Sequence, residues 1–395
     1  MPREVCPVCD SAGAEQFLFR ESVPVHQHQL FAAAADARAI RRGVLDMRSC
    51  DACGFVFNAA FDPALVDYGP AYENSQDSSP AFNAHLDGLV DHLVRDGGVR
   101  NGRVVEVGCG KGVFLGKLLA HPDNHSDAVG FDPSYLGAER VGRTRFVKDF
   151  YGPATAVPAD VVICRHVIEH VARPLDLLRT VRISVGESGA TRVFFETPCV
   201  EWILQNRVTW DFFYEHCSLF TVASLSLALE RAGFAVTSVR HIFGGQYLWA
   251  EGTSGRTPDT DQFQTRPTTR LATEIRRFAA ENSERVTRWH DLLADLAPRG
   301  PVFVWGAGAK GVTFCNLADP DGSRLAGVID VNVAKQGRFL PGTGHPIVPP
   351  ASAVGAAAVL VLNPNYVAEI RAAVASLGSH AEVIDLMQEA TPCGS

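Results

Sequence analysis

The sequence has no apolar run approaching the roughly 20 residues that a membrane-crossing helix needs. Its opening, MPREVCPVCD, lacks the apolar core of a signal peptide. A cytoplasmic protein without a membrane partner is expected. Basic residues are in the minority: 36 Lys and Arg stand against 44 Asp and Glu, a formal net charge of -8. General nucleic-acid binding, which needs a basic face to displace counterions from phosphate, is therefore not expected. Any anionic ligand must be met by locally placed Lys and Arg. Tandem repeats and low-complexity tracts are also missing. Cysteine is sparse, ten in 395 residues, but four fall into two Cys-x-x-Cys pairs near the start. That pattern argues against the disulfide framework of a small secreted chain and for a metal in a reducing compartment.

A chain of this length is too long for one ordinary core. Residues 1–70 hold the cysteine pairs and only short apolar stretches, and read as a metal-stapled module. From about Leu86 a helical pattern leads into Val104 to Gly130, which alternates strand, glycine loop, helix and strand. Later apolar runs at Asp160 to Cys164, Arg192 to Glu196 and Ala235 to Ile242 continue the alternation, so a doubly wound α/β domain is expected over 71–251. Residues 252–299 read as a Gly/Thr/Pro/Asp-rich linker followed by a spacer helix. In 300–395, a strand to Trp305, a glycine loop over Gly306 to Gly311 and a second strand ending in Asp330 predict a smaller Rossmann-like unit.

Cys6-Pro-Val-Cys9 and Cys50-Asp-Ala-Cys53 supply four thiols in two knuckles. Four thiolates close a tetrahedral zinc shell with no open position, so a structural ion is expected at Cys6, Cys9, Cys50 and Cys53. Val104-Val105-Glu106-Val107-Gly108-Cys109-Gly110-Lys111-Gly112 is a strand ending in an acid and running into a glycine loop before a helix. Such a loop lets a ligand approach the backbone at a helix N-terminus. Asp132, at the end of the next strand, stands where a carboxylate can hold both ribose hydroxyls. Asp149 and Phe150, after the third strand, suit an adenine amino group and ring face. A nucleotide-type cofactor follows, whether SAM (S-adenosylmethionine) or a nicotinamide dinucleotide.

In this order the motifs resemble those of the class I SAM-dependent methyltransferases. The resemblance implies that Glu106 matches the family's first acid, Gly108 and Gly110 the loop under the methionine part, Asp132 the ribose ligand, and Asp149 with Phe150 the adenine contact. His166-x-x-Glu169-His170 also spells the inverted zinc-peptidase motif. It follows a buried-looking strand at the family's fourth sheet position, where His166 would line the SAM pocket, while for Glu169 and His170 a structural role is as well supported as a place beside SAM.

Tyr214-Glu215-His216, among aromatics and downstream of Glu196-Thr197-Pro198, packs a phenol, a carboxylate and an imidazole together. It resembles the Tyr-Glu-His motif of sugar C-methyltransferases acting on nucleotide-linked 4-keto sugars. Their order of zinc module, SAM domain and Rossmann-like C-terminal domain is that of this chain. The resemblance implies C-methylation beside a ketone, with His216 as base, Tyr214 donating to the enolate oxygen and Glu215 orienting His216 or touching substrate. It further implies Tyr72 and Gln76 as covers over SAM. Lys310, Lys335 and Arg338 would meet a diphosphate, with Asn316 and Asn363 as polar partners. The partner is then a small molecule, and the chain is compatible with a monomer or a homodimer. The alternative is an O- or N-methyltransferase acting on another natural-product intermediate.

Overall fold

The computed structural model describes residues 5–67, 72–73, 78–186, 191–255 and 269–389. Among them are three sheets.

The central sheet has eight strands. Arg103–Val107 lies inside it, parallel to Asp127–Phe131 on one side and Val161–Arg165 on the other. Thr144–Val147 extends it parallel beyond the first, with the short Arg140–Val141 at the edge, and Arg192–Pro198 beyond the second. Tyr247–Thr253 then adds antiparallel to Arg192–Pro198, and Ala235–Ile242 closes that edge. The inner strands are buried on both faces, as the runs Val104–Val107 and Val161–Cys164 require, so helices must cover them. Helix Pro80–Arg95 does so on one face. Ser79 caps it by accepting from the Phe82 amide, Pro80 opens it, and Phe82, Leu86, Leu89, Val90, Leu93 and Val94 make the buried stripe.

The C-terminal sheet is five-stranded and all parallel, with Val302–Trp305 between Gly327–Ile329 and Ala358–Val361. Helix Ala309–Ala318 follows its glycine loop. The 28-residue helix Thr269–Leu296 precedes this sheet and buries Leu271, Phe278, Trp289, Leu293 and Leu296.

The N-terminal sheet pairs Ala14–Pro24, Arg42–Cys50 and Val56–Asn58 antiparallel. Its fourth strand, Ser218–Leu219, comes from far along the chain and pairs with Val56–Asn58. It begins two residues after His216, so the N-terminal sheet fixes where the Tyr214–His216 segment sits. No helix of the described residues is long and apolar enough to cross a membrane.

Candidate active site

The glycine loop after Arg103–Val107 runs through Gly108 and Gly110 at φ 73° and 52°, the left-handed region that glycine tolerates. A Cβ at Gly108 would run into Val167. Asp132 faces this loop: its Oδ2 accepts from the Gly110 amide at 2.8 Å and its Oδ1 from the Ser134 amide and hydroxyl. Beneath lies Glu106, buried, with Oε2 lacking a hydrogen-bond partner among the described residues. Burial pushes its carboxyl up to about 7, against the pull of Arg165. A buried acceptor under an open glycine loop suits a ligand carrying an ammonium group. Asp149 and Phe150 project at the neighbouring strand end, Phe150 74% exposed.

At the end of Val161–Arg165 the chain turns through His166 at φ 53°, a conformation uncommon outside glycine and concentrated at functional sites. His166 Nδ1 meets Glu169 Oε1 at 3.1 Å, and Glu169 Oε2 accepts from Thr197. Glu196, fully buried, binds Arg165 Nε at 2.5 Å and His85 at 2.8 Å. Burial would raise the Glu196 carboxyl, but Arg165 and His166 hold it well below the usual range. Burial likewise pulls His166 down, and Glu196 with Glu169 outweighs it, lifting the imidazole to about 9. The His-x-x-Glu-His run thus lies on a strand end and a short 3-10 turn, its acid bonded within the protein, not on one helix face as a peptidase zinc site needs.

A cavity of about 280 Å³ opens beside these groups. One wall is His166, Glu169, His170, Pro198 and Tyr247; the facing wall is Trp305, the Gly306–Gly311 loop, Asp330 and Lys335, with His28 and Tyr72 entering from the N-terminal region. His216 lines it, its ring 4.0 Å from Phe213 and edge-on to His170 at 5.0 Å. Burial first, then the charges of His170, His166, Lys310 and His28, keep His216 well below an ordinary imidazole, so it is neutral near pH 7. On the far wall Asp330 Oδ2 accepts from the Ala307 amide at 2.8 Å and Oδ1 from Asn332. That repeats what Asp132 does at the first loop. Two glycine loops, each held by an acid from the next strand, therefore serve this molecule.

Residues 82–239 match the family described as a methyltransferase domain, and residues 266–382 the one described as a C-methyltransferase C-terminal domain. The chain belongs to the SAM-dependent methyltransferases. The C-methyltransferase NovU from Streptomyces niveus is 26% identical over 314 residues, 72% of each chain. A tRNA U34 carboxymethyltransferase from Campylobacter lari is 29% identical over 108 residues, 25% of this chain and 36% of that one. Among solved structures, the dimethyltransferase RosA from Streptomyces davawensis shares 20% identity over 45% of this chain and 55% of that one, at a TM-score of 0.36, too low to bear on the fold.

In this methyltransferase the sequence-predicted residues divide sharply. Glu106, Gly108, Gly110 and Asp132 converge on the first loop, and His166, Tyr72, His216, Lys310, Lys335 and Asn363 all line the cavity. Gln76 lies outside the described residues. Tyr214 corrects the expectation of an enolate donor: it is fully buried, it does not line the cavity, and its hydroxyl accepts from the Asp62 amide at 2.9 Å and donates to the Asp62 carbonyl. Its ring fills the space that Gly43 leaves open. Glu215 is also fully buried and off the cavity, its Oε2 accepting from the Gln27 amide at 2.7 Å, so it anchors the N-terminal segment. Asn316 bonds the Val312 and Pro341 carbonyls, and exposed Arg338 lies away from the lining; neither reaches a ligand there. Lys310 is clamped on both carboxylate oxygens of Asp211, Lys335 Nζ donates to the Ala307 carbonyl and faces Asp330 Oδ2, and Asn363 exchanges amide bonds with Gln246. Phe213, Asp211, His28 and Tyr247 line the cavity without having been singled out, since none belongs to a motif; adjacency to the Tyr-Glu-His run was the one signal for Phe213.

The four N-terminal sulfurs lie within 4.8 Å of one another, with Cys6 to Cys53 at 3.7 Å and Cys9 to Cys50 at 3.5 Å. A tetrahedral shell with metal–sulfur bonds near 2.3 Å requires sulfur separations of about 3.8 Å.

Proposed function

We propose that this enzyme transfers a methyl group to a carbon beside the ketone of a nucleotide-linked keto-deoxysugar, in the cytoplasm, with His216 as the base. The observation that carries this reading is a neutral imidazole in a cavity walled on one side by the SAM half and on the other by a second acid-held glycine loop. SAM supplies an activated methyl on a sulfonium, a leaving group that needs no help from the protein. Glu106, Gly108, Gly110 and Asp132 would hold it, with His166 and Tyr72 toward the cavity and Asp149 and Phe150 for the adenine end.

The chain's own work is proton removal and alignment. His216 takes the proton from the carbon next to the carbonyl, the C–H electron pair becomes the carbon–carbon π bond of the enolate, and the carbonyl π pair moves onto the oxygen. Phe213, tilted against the ring, and His170, edge-on to it, hold the imidazole in place. Lys335 and the amides of the Gly306–Gly311 loop meet the diphosphate, and Lys310 joins them when a phosphate displaces Asp211. Zinc at Cys6, Cys9, Cys50 and Cys53 is structural: with four sulfurs on the ion, no position remains for substrate.

The test is an assay of wild type and His216→Asn with SAM and a series of nucleotide-linked keto sugars, read by mass spectrometry. A product one methylene heavier with wild type only supports the reading. SAM binding without turnover of any sugar would discard the sugar, and full activity of the variant would discard the base.

A further inference from the structure

With Tyr214 turned away, the proposed enolate lacks its expected donor, and the cavity offers three other phenols: Tyr72, Tyr247 and Tyr366. The hydroxyl of Tyr72 is engaged by the Glu215 carboxylate. Neither Tyr247 nor Tyr366 has a hydroxyl hydrogen bond among the described residues, and neither hydroxyl is sealed from the cavity. Their positions differ. Tyr366 sits on the C-terminal wall, in the turn Pro364–Tyr366, beside Glu369. Tyr247 opens the strand Tyr247–Thr253 opposite Pro198, on the wall that carries the SAM-side groups. Its ring is stacked on Phe243 at 5.3 Å and edge-on to His166 at 4.6 Å, and these two contacts hold the phenol in place. Glu169 reaches toward the base from this same wall: it is hydrogen-bonded to His166, whose ring abuts Tyr247, and its carboxylate lies within 4.8 Å of a ring nitrogen of His216.

From this arrangement we infer that Tyr247 is the catalytic residue that donates a hydrogen bond to the enolate oxygen while His216 removes the neighbouring proton. The inference rests on the ketone reading above. The proton passes from carbon to the imidazole nitrogen, the C–H pair becomes the carbon–carbon π bond, the carbonyl π pair passes to the oxygen, and Tyr247 keeps its own proton while donating. It is suited to that. Burial, and then Tyr366, Glu196, Asp211 and Glu169, hold the phenol well above its ordinary value, so it stays a donor at any working pH. A donor fixed where charge develops is the kind of group whose loss costs most in rate.

Proton exchange reads this step without methyl transfer. The holoprotein is incubated in D2O, without SAM, with thymidine- and uridine-diphosphate 4-keto-6-deoxyhexoses, and deuterium entry beside the ketone is followed by NMR. Wild type should exchange. Tyr247→Phe should exchange roughly a hundredfold more slowly, with SAM affinity by calorimetry and the melting temperature unchanged, and Tyr366→Phe should stay near wild type. Exchange by Tyr247→Phe at the wild-type rate, or the loss appearing in Tyr366→Phe instead, overturns the inference and leaves the ketone reading standing. Wild type inert toward both sugars overturns the ketone reading and the inference with it.

Discussion

At His216 burial of the imidazole comes first, and His170, His166, the Lys310 ammonium and His28 add to its effect. Each disfavours a positive charge, so the proton-free form persists below the ordinary value of 6.5. The acid limb of kcat/KM should therefore lie below pH 6.5, and a pH–rate profile checks it. The folded pKa is depressed, so the contribution to stability is fully present above about 6.5 and is lost as pH falls toward and through the folded value. His216→Asn should lower turnover by about two to four powers of ten while calorimetry finds SAM binding intact. Tyr214 belongs to the opposite class. Tyr214→Phe removes the part-buried hydrogen bonds to the Asp62 amide and carbonyl, so urea unfolding should show a loss of about 0.5–1.5 kcal/mol with kcat nearly unchanged. The chemistry of His216 was legible because imidazole, acid and phenol stood in three consecutive residues. Consecutive residues cannot all face one cavity, however. With Tyr214 and Glu215 buried elsewhere, it is Phe213 that shares the cavity with His216.

Among elements, the strand–glycine loop–helix at Val104 to Ala120 was readable because it carries its acid, glycines and apolar helix face within one short run. Gly108→Ala should lower SAM affinity at least about tenfold, since the left-handed backbone costs ~1–2 kcal/mol and the new methyl meets Val167; calorimetry with circular dichroism separates this from unfolding. Ala235–Ile242 was also legible, whereas its partner Tyr247–Thr253 was not. That strand is preceded by the turn signal Gly244-Gly245, but its contiguous apolar run Tyr247, Leu248, Trp249 and Ala250 shows no alternation, so the pattern does not tell it from a short buried helix. Ser218–Leu219 is two residues long and exists only through its pairing with Val56–Asn58. Both elements place cavity residues, Tyr247 and His216, and both depend on contacts that a linear pattern does not contain.

For the molecule as a whole, the cavity is shaped where separate sheets meet. Lys310 clasps Asp211, Gln246 and Asn363 exchange amide bonds, and Glu369 accepts from Ser79 and the Ala81 amide at the start of helix Pro80–Arg95. The N-terminal sheet adds Glu215 to Gln27 and Tyr214 against Gly43, on the strand that ends in Cys50. Cys50→Ser should therefore lower the melting temperature by several degrees or more and reduce turnover, because the Tyr214–His216 segment loses its support; scanning calorimetry and metal content by mass spectrometry check it. The central claim concerns which atom receives the methyl group. SAM carrying a 13C methyl, incubated with the enzyme and a nucleotide-linked keto-deoxysugar, places that methyl by NMR. A 13C methyl bonded to the carbon beside the ketone, absent with His216→Asn, is the predicted result; a methyl on oxygen or nitrogen would contradict it.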